Sequence, residues 1–230
     1  MDTRHPTAQQ TSSFQVIAMS TAALAQTAAL HEELLPNGLF PALGRRFLRH
    51  WHQTFITSPY GFGLTAFDQQ GNCCGFLIGT TDQRLYTLGV LRRNGYRLAA
   101  LGAVSMATRP RLAVRFMRTR AARYLIRIAT ARKRKAPPNA AHRESEPRVA
   151  VLHALITEPS ARGRGVAAAL LGQFEQELRS KGVPTLQLVT LETGGATGFY
   201  RRLGYVETDR RINRDGEAVV QFDRHLGEKA

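Results

Sequence analysis

Six consecutive residues, Arg162-Gly163-Arg164-Gly165-Val166-Ala167, have the types and spacing to hold an anion. They lie between an apolar run, Val149 to Ile156, and a helical pattern with Val166, Leu170, Phe174 and Leu178 at every fourth position. Two glycines and a small alanine let backbone amides crowd together at a helix start, where unpaired N–H groups and partial positive charge receive a phosphate. A turn of this composition can also do nothing but turn, and Arg162 and Arg164 can be phosphate contacts or solvated side chains. The surrounding elements have to decide.

Val149 to Ile156 reads as a strand, the turn follows at Glu158 to Arg164, and the helix runs to about Lys181 with Gly182 as its stop. Pro184 to Glu192 is a second apolar strand, so strand, helix and strand make a right-handed parallel crossover with the turn at the end of the first strand. A Gly-rich loop, Thr193-Gly194-Gly195, and a short helix to Leu203 come next. Tyr205 to Ile212 and Glu217 to His225 flank Asn213 to Gly216 as a terminal hairpin. Upstream, Phe14 to Met19 reads as a strand, with Ser20 or Thr21 capping a helix whose face carries Leu24, Ala28, His31 and Leu35. His31 reads as a half-buried surface residue, having no Cys, Asp or His partner at helical spacing. A second helix is expected to open near Pro41, with Leu43, Phe47, Trp51 and Phe55 as an apolar core stripe. Tyr60 to Asp68 and Cys73 to Thr81 form a hairpin about Gln69 to Asn72, and Gly61, Gly63 and Gly75 hint at bulges or close backbone approach.

A chain of 230 residues, 43% hydrophobic, can bury a proper core. The expected organisation is a polar, disordered tail over 1–13 and one domain over 14–230, interrupted at 84–147. The two adjacent cysteines offer neither a structural cross-link nor metal-ligand spacing, which fits a reducing cytoplasm. No secretory signal or membrane-spanning run is read, and no metal is expected. Between Arg84 and Lys135 there are 13 Arg and 2 Lys and no acidic residue; the rest of the chain carries 17 basic and 17 acidic side chains, so the net charge of +15 belongs to this one segment. It reads as helix broken around Arg109-Pro110, its second half bearing a seam of Val114, Met117, Ala121, Tyr124 and Ile128 flanked by arginines. Such a helix can lie on an anionic membrane, bind a polyanion, or pack its seam on the domain and solvate its arginines. Residues 136–147, rich in Pro and polar side chains, read as a flexible return.

Two stretches together resemble the GCN5-related N-acetyltransferases. The family's Gln/Arg-x-x-Gly-x-Gly/Ala signature after a strand is matched by Arg162, Gly165 and Ala167. Its Asn-x-x-Ala-x-x-Phe-Tyr-x-x-x-Gly-Phe stretch is matched by Thr193, Ala196, Phe199, Tyr200, Gly204 and Tyr205, with Thr193 in place of the frequent Asn. The resemblance covers Val149 to Tyr205 well and Phe14 to Thr81 by element order, and the basic insertion has no place in the minimal pattern. It implies an α/β (α+β) fold, a central mixed twisted sheet flanked by helices. It implies N-acetyl transfer from acetyl-coenzyme A, as co-substrate, to a primary amine of a small molecule or protein through a ternary complex. The pyrophosphate would sit on Arg162, Gly163, Arg164, Gly165, Val166 and Ala167, the pantetheine arm along the backbone of Leu155 and Ile156, with Thr193 and Phe199 also at the cofactor.

In the same family a tyrosine at the position of Tyr200 often serves as general acid, and a phenol with pKa of about 10 is protonated at neutral pH. Amides near Leu155 would hold the developing oxyanion. The strand Val151-Leu152-His153-Ala154-Leu155 resembles that of serotonin-type arylalkylamine acetyltransferases, where histidines relay the amine proton, with only the second histidine kept, as His153. His153 is thus a catalytic candidate or a satisfied core residue; Glu158 and Glu192 are alternative bases. The acceptor amine, the oligomeric state and the use of longer acyl groups are left open. The segment 84–135 has an anionic membrane surface or an acidic partner as candidate ligands, with nucleic acid less favoured, and the expected location is cytoplasmic or peripheral to a membrane. The alternative function is a binding module that uses this segment and keeps an inert acetyltransferase-like core.

Overall fold

The computed structural model describes residues 14–109, 113–114 and 148–227. The expected tail over 1–13, most of the arginine-flanked seam and the return over 136–147 lie outside them.

Phe14–Ala18 forms strand β1, and a single 3-10 turn, Thr21–Ala23, leads into helix α1, Leu24–Leu34. Neither Ser20 nor Thr21 caps that helix as expected: Ser20 makes no side-chain bond, and α1 opens as a continuation of the 3-10 turn. The apolar stripe near Pro41 belongs to two helices, α2 (Leu39–Ala42) and α3 (Arg45–Thr57). Strands β2 (Gly61–Asp68) and β3 (Cys73–Thr80) form the expected hairpin. Its turn is held by Asp68, whose Oδ1 accepts from the amides of Gln70 and Asn72 at 2.9 and 2.8 Å.

The insertion begins with α4 (Gln83–Arg93), capped by Asp82, whose carboxylate accepts from the amide of Leu85, and α5 (Gly95–Ala107). The helix is therefore interrupted at Asn94 as well as after Ala107, where the sequence places its only break. Strand β4 (Val149–Thr157) leads through a 3-10 turn, Pro159–Ala161, into α6 (Val166–Ser180). Then come β5 (Thr185–Leu191), α7 (Ala196–Arg202), β6 (Val206–Ile212) and β7 (Ala218–His225).

The seven strands make one mixed sheet in the order β1-β2-β3-β4-β5-β7-β6. Only β4 and β5 run parallel, as the crossover through α6 requires; every other neighbouring pair is antiparallel. Two cores cover its faces. On one, Val166, Leu170, Leu171, Phe174 and Leu178 of α6 pack against Leu77, Leu152, Leu186 and Phe222. Side chains of this kind contribute about 1.5–3 kcal/mol each when fully buried. On the other, α1 and α3 bring Leu24 and Phe55 onto Phe76, Ile78, Ala154 and Ile156, with Tyr86 of α4 beside them. A smaller cluster of Leu39, Leu43 and Phe47 receives Leu98, Leu101 and Met106, so α5 packs on the α2–α3 side.

His31 is a correction. It is 2% exposed and bonded to His52 of α3, and its partner came from a separate helix that spacing within α1 could not reveal.

Candidate functional site

β4 and β5 pair only over their first halves, Val149 with Thr185 through Leu152 with Leu188. Both strands continue, β4 to Thr157 and β5 to Leu191, each still bonded to its other neighbour, β3 or β7. The sheet therefore opens along residues 153–157, and this stretch of β4 has no strand on one side. An unpaired strand edge offers backbone N–H and C=O groups to an extended ligand.

The opening starts at a bulge. Leu152 pairs with Gly79 and Ala154 with the adjacent Ile78, so His153 is an extra residue. Ala150 and Leu152 belong to the α6-side core, whereas Ala154 and Ile156 belong to the α1–α3 core. The bulge has turned over the rest of the strand. His153 contacts the rings of Trp51, Phe55 and Tyr86, which puts it on the α3–α4 face.

Its Nε2 lies 2.8 Å from Oε1 of Gln83, the first residue of α4. That amide oxygen also accepts from Thr80 Oγ1 at 3.0 Å. Since an amide oxygen only accepts, Nε2 carries the hydrogen and Nδ1 carries the lone pair. Desolvation by burial lowers the His153 pKa to about 4, so the imidazole is neutral at pH 7.

At the far end of β4 the chain passes through Arg162 to Gly165. Gly163 and Gly165 take φ of +74° and +85°, a region closed to most side chains, and a Cβ built on either meets no atom within 4 Å. Gly165 caps α6 without a side-chain bond, and the first helical bond is Ala169 N–H to the Gly165 carbonyl. Six successive amides, those of residues 163–168, thus make no hydrogen bond to the described chain. Arg162 reaches back from Nε to the Thr157 carbonyl at 3.4 Å, and Arg164 is exposed. Val166 turns its side chain into the core while Ala167 leaves the helix mouth open. An open groove of about 480 Å³ lies between α6 and α7, with Ala168 and Gly172 on one wall and Arg202 on the other.

Tyr200 sits in α7 and is 7% exposed, packed among Phe199, Tyr205 and Phe222 on the α6 side of the sheet. Burial pushes its phenol above the ordinary value, so it holds its proton at neutral pH. Its hydroxyl makes no hydrogen bond to the described residues and is not among their fully enclosed unpaired atoms, Thr65 Oγ1 and Thr157 Oγ1. Tyr200 and His153 are consequently on opposite faces of the sheet. Thr193 is exposed in the loop before α7.

The two alternative bases are engaged elsewhere. Glu158 accepts from Ser160 Oγ, and Glu192 is ion-paired with Arg210, which also holds Glu207. Among the described residues no group of three or more His, Cys, Asp or Glu could hold a metal, and no helix is long and apolar enough to cross a membrane. Both cysteine thiols are buried; desolvation pushes Cys73 up to about 12.

The acetyltransferase (GNAT) family model matches residues 28–205. The chain belongs to this family. An uncharacterised N-acetyltransferase of Methanocaldococcus jannaschii is 36% identical over 62 residues, 26% of this chain and 27% of that protein, so the match spans about a quarter of the relative's length. Among solved structures, a GCN5-related N-acetyltransferase from Kribbella flavida is 15% identical, with a TM-score of 0.57 over 93% of this chain and 98% of that one. An aminoglycoside 6'-N-acetyltransferase complexed with coenzyme A is 13% identical, with a TM-score of 0.55 over 94% and 99% of the two chains. At such identities the likeness is one of fold.

Sequence reasoning missed Gln83. Seventy positions separate it from His153, and it lies at the mouth of a segment that the family pattern does not contain. The short spacing from the end of β3, with Asp82 as a helix cap, was the one signal that a helix starts beside this strand.

Proposed function

We infer that this acetyltransferase moves an acetyl group from acetyl-coenzyme A to a primary amine. One observation carries the reading: six unpaired amides open a helix directly after a strand whose edge has lost its neighbour. The amide cradle at residues 163–168 suits a pyrophosphate, aided by the charges of Arg162 and Arg164. The free edge at Leu155 and Ile156 suits the amides and carbonyls of a pantetheine arm. Acetyl-coenzyme A supplies, when bound, a thioester whose carbonyl an amine can attack.

The chain's own groups then serve both sides of that attack. Amides along the open edge near Leu155 stabilise negative charge that develops on the carbonyl oxygen. The new C–N bond forms as the C–S bond breaks, and the protonated phenol of Tyr200 delivers a proton to the sulfur from the α6 side. From the opposite face, His153 accepts through Nδ1 a proton that the amine sheds. With a pKa of about 4 it passes that proton on quickly and does not store it, which makes it a relay. The alternative of an inert core that only docks anions gains nothing from this geometry, because the cradle and the open strand edge are both intact.

Calorimetric titration of acetyl-coenzyme A into the full chain tests the reading, with Gly165→Asp as the variant. A carboxylate facing a pyrophosphate costs several kcal/mol, so the variant binds ~100-fold more weakly. Its circular dichroism spectrum and unfolding midpoint report whether it still folds. No binding by the wild type, or wild-type affinity in a folded variant, sinks the proposal. Thiol release with a panel of amines then identifies the acceptor.

A further inference from the structure

A second cleft lies away from the amide cradle, where α3 meets the junction of α4 and α5. It encloses about 340 Å³, within the range of small-ligand pockets. It opens at the end of the sheet where β2 begins: Tyr60, in its wall, accepts through its carbonyl from the amide of Thr81. The Thr80 end and the Thr157 end of β4's pairing with β3 are six residues apart, about 20 Å of strand, so the cleft and the cradle occupy opposite ends of β4.

The charge of this cleft has one sign. His50 of α3, Arg93 of α4 and Arg97 of α5 line it, and no Asp or Glu does. His50 donates from Nδ1 to the Arg46 carbonyl at 2.9 Å, which leaves Nε2 as the available edge of the ring. Arg97 lies over the Tyr96 ring at 5.6 Å and bonds the Tyr96 hydroxyl through Nε at 2.8 Å, so its terminal nitrogens remain for a ligand. Arg93 pairs with no acidic side chain among the described residues. Asn94 caps α5 without using its side chain, and the amides of residues 95–97 make no bond to the described chain. The apolar side of the cleft is Val90 and Leu98.

We propose that this cleft is a binding site for an oxyanion, a phosphate or a carboxylate, carried on a small apolar or aromatic body. Two guanidinium groups, Arg93 of α4 and Arg97 of α5, line the cleft with the His50 ring and open amides over a partly apolar floor, and planar guanidinium groups suit bidentate oxyanion recognition. The site is distinct from the coenzyme A cradle. It gives the first helices of the arginine-rich insertion a defined ligand rather than a diffuse field. Thr54 lines the cleft and shares a 2.6 Å hydrogen bond with Tyr86, whose ring lies against His153, so an occupant would be felt at the transfer centre through two contacts.

The test is calorimetric titration of phenyl phosphate and, separately, benzoate into the full chain at low salt, with coenzyme A present in excess to occupy the other anion site. Binding of at least one probe at a single site is expected, weakened by about tenfold or more in Arg93→Gln/Arg97→Gln. Gly89→Leu supplies an independent variant. A Cβ at Gly89 meets nothing within 4 Å, so the added side chain fills the cleft while leucine favours the helix. It should weaken binding by about tenfold or more as well. Arg49→Gln, an exposed α3 arginine outside the cleft, should change affinity little. Preference for phenyl phosphate or for benzoate assigns the natural anion. Binding of neither probe, unchanged binding in both cleft variants, or an equal loss in Arg49→Gln overturns the site. Because none of these readouts uses acetyl transfer, they stand apart from the catalytic proposal.

Discussion

Nε2 of His153 lies 2.8 Å from Oε1 of Gln83, so the first turn of the arginine-rich insertion is fastened to the bulge at which β4 leaves β5. The start of the insertion is therefore part of the histidine side of the sheet opening, with Tyr86 of α4 also against the His153 ring. Gln83 accordingly sets the tautomer of a candidate proton relay. Loss of its carbonyl frees the imidazole to rotate and to exchange tautomers.

Gln83→Leu is expected to lower kcat more than it changes the KM for acetyl-coenzyme A, by less than the 10²- to 10⁴-fold that a general acid–base group contributes. His153→Asn should remove the full contribution. If Gln83 acts through His153, the Gln83→Leu effect vanishes in the His153→Asn background, a double-mutant cycle that steady-state kinetics with an identified amine can close. Additive losses would show that Gln83 works independently.

The pH dependence of kcat/KM should carry no histidine inflection near the ordinary value of 6.5. His153 is held neutral down to about pH 4 by desolvation, and it loses its acceptor only as pH falls through that value. Between pH 6 and 9 the profile should follow the deprotonation of the acceptor amine, since Tyr200 keeps its proton throughout. An inflection near 6.5 that disappears in His153→Asn would contradict the burial of this ring.

Glu175, 5% exposed on α6, is ringed by donors. Tyr205 Oη donates to it at 2.7 Å, Arg224 Nη1 lies 3.1 Å away and Arg179 Nη2 3.2 Å. A buried carboxylate so placed ties the segment after α7 to the helix that carries the amide cradle. Glu175→Ala leaves the Tyr205 hydroxyl without its acceptor and Arg224 with the Leu203 carbonyl alone, and is expected to cost about 2–3 kcal/mol. Tyr205→Phe should cost only about 1 kcal/mol, since both arginines remain. Urea unfolding monitored by circular dichroism measures both. Equal costs for the two would refute the charge-centred account.

The sequence made the cradle and the crossover legible because both depend on local chemistry: small residues at a helix start, and one face of α6 repeating every fourth position. It made Gly204-Tyr205 legible only as a motif; that Tyr205 bonds Glu175 could not be read, because the partners come from different elements. The bulge was hidden for a sharper reason. Ala150, Leu152, Ala154 and Ile156 keep perfect alternation in burial, yet His153 sends the second pair to the opposite core, and alternation alone cannot register that inversion. Likewise, His31 looked peripheral while its partner remained unknown.

That partner gives the last prediction. Thr27 Oγ1 lies 3.4 Å from the Leu24 carbonyl, so its hydrogen points there and its oxygen accepts from His52 Nδ1 at 3.1 Å. His52 Nε2 then accepts from His31 Nδ1 at 3.0 Å. The chain of donors runs one way, from His31 to His52 to Thr27 to Leu24, and every bond in it is made with both rings neutral. Burial lowers His31 to about 4; burial, with the charge of His31, lowers His52 to about 3. Unfolded histidines take up protons below about pH 6.5, so there the unfolded state binds more protons and stability falls with falling pH. Full stability is present above pH 6.5 and is lost progressively toward pH 4, with a slope of about 2–3 kcal/mol per pH unit from the pair. Urea unfolding at pH 7, 6 and 5 should show this, in a window mostly above carboxylate titration. His52→Gln removes one of three histidines that burial holds neutral, His153 being the third, and should reduce the measured slope by about a third. If its slope between pH 6.5 and 5 equals that of the wild type, the neutral pair is not what ties α1 to α3.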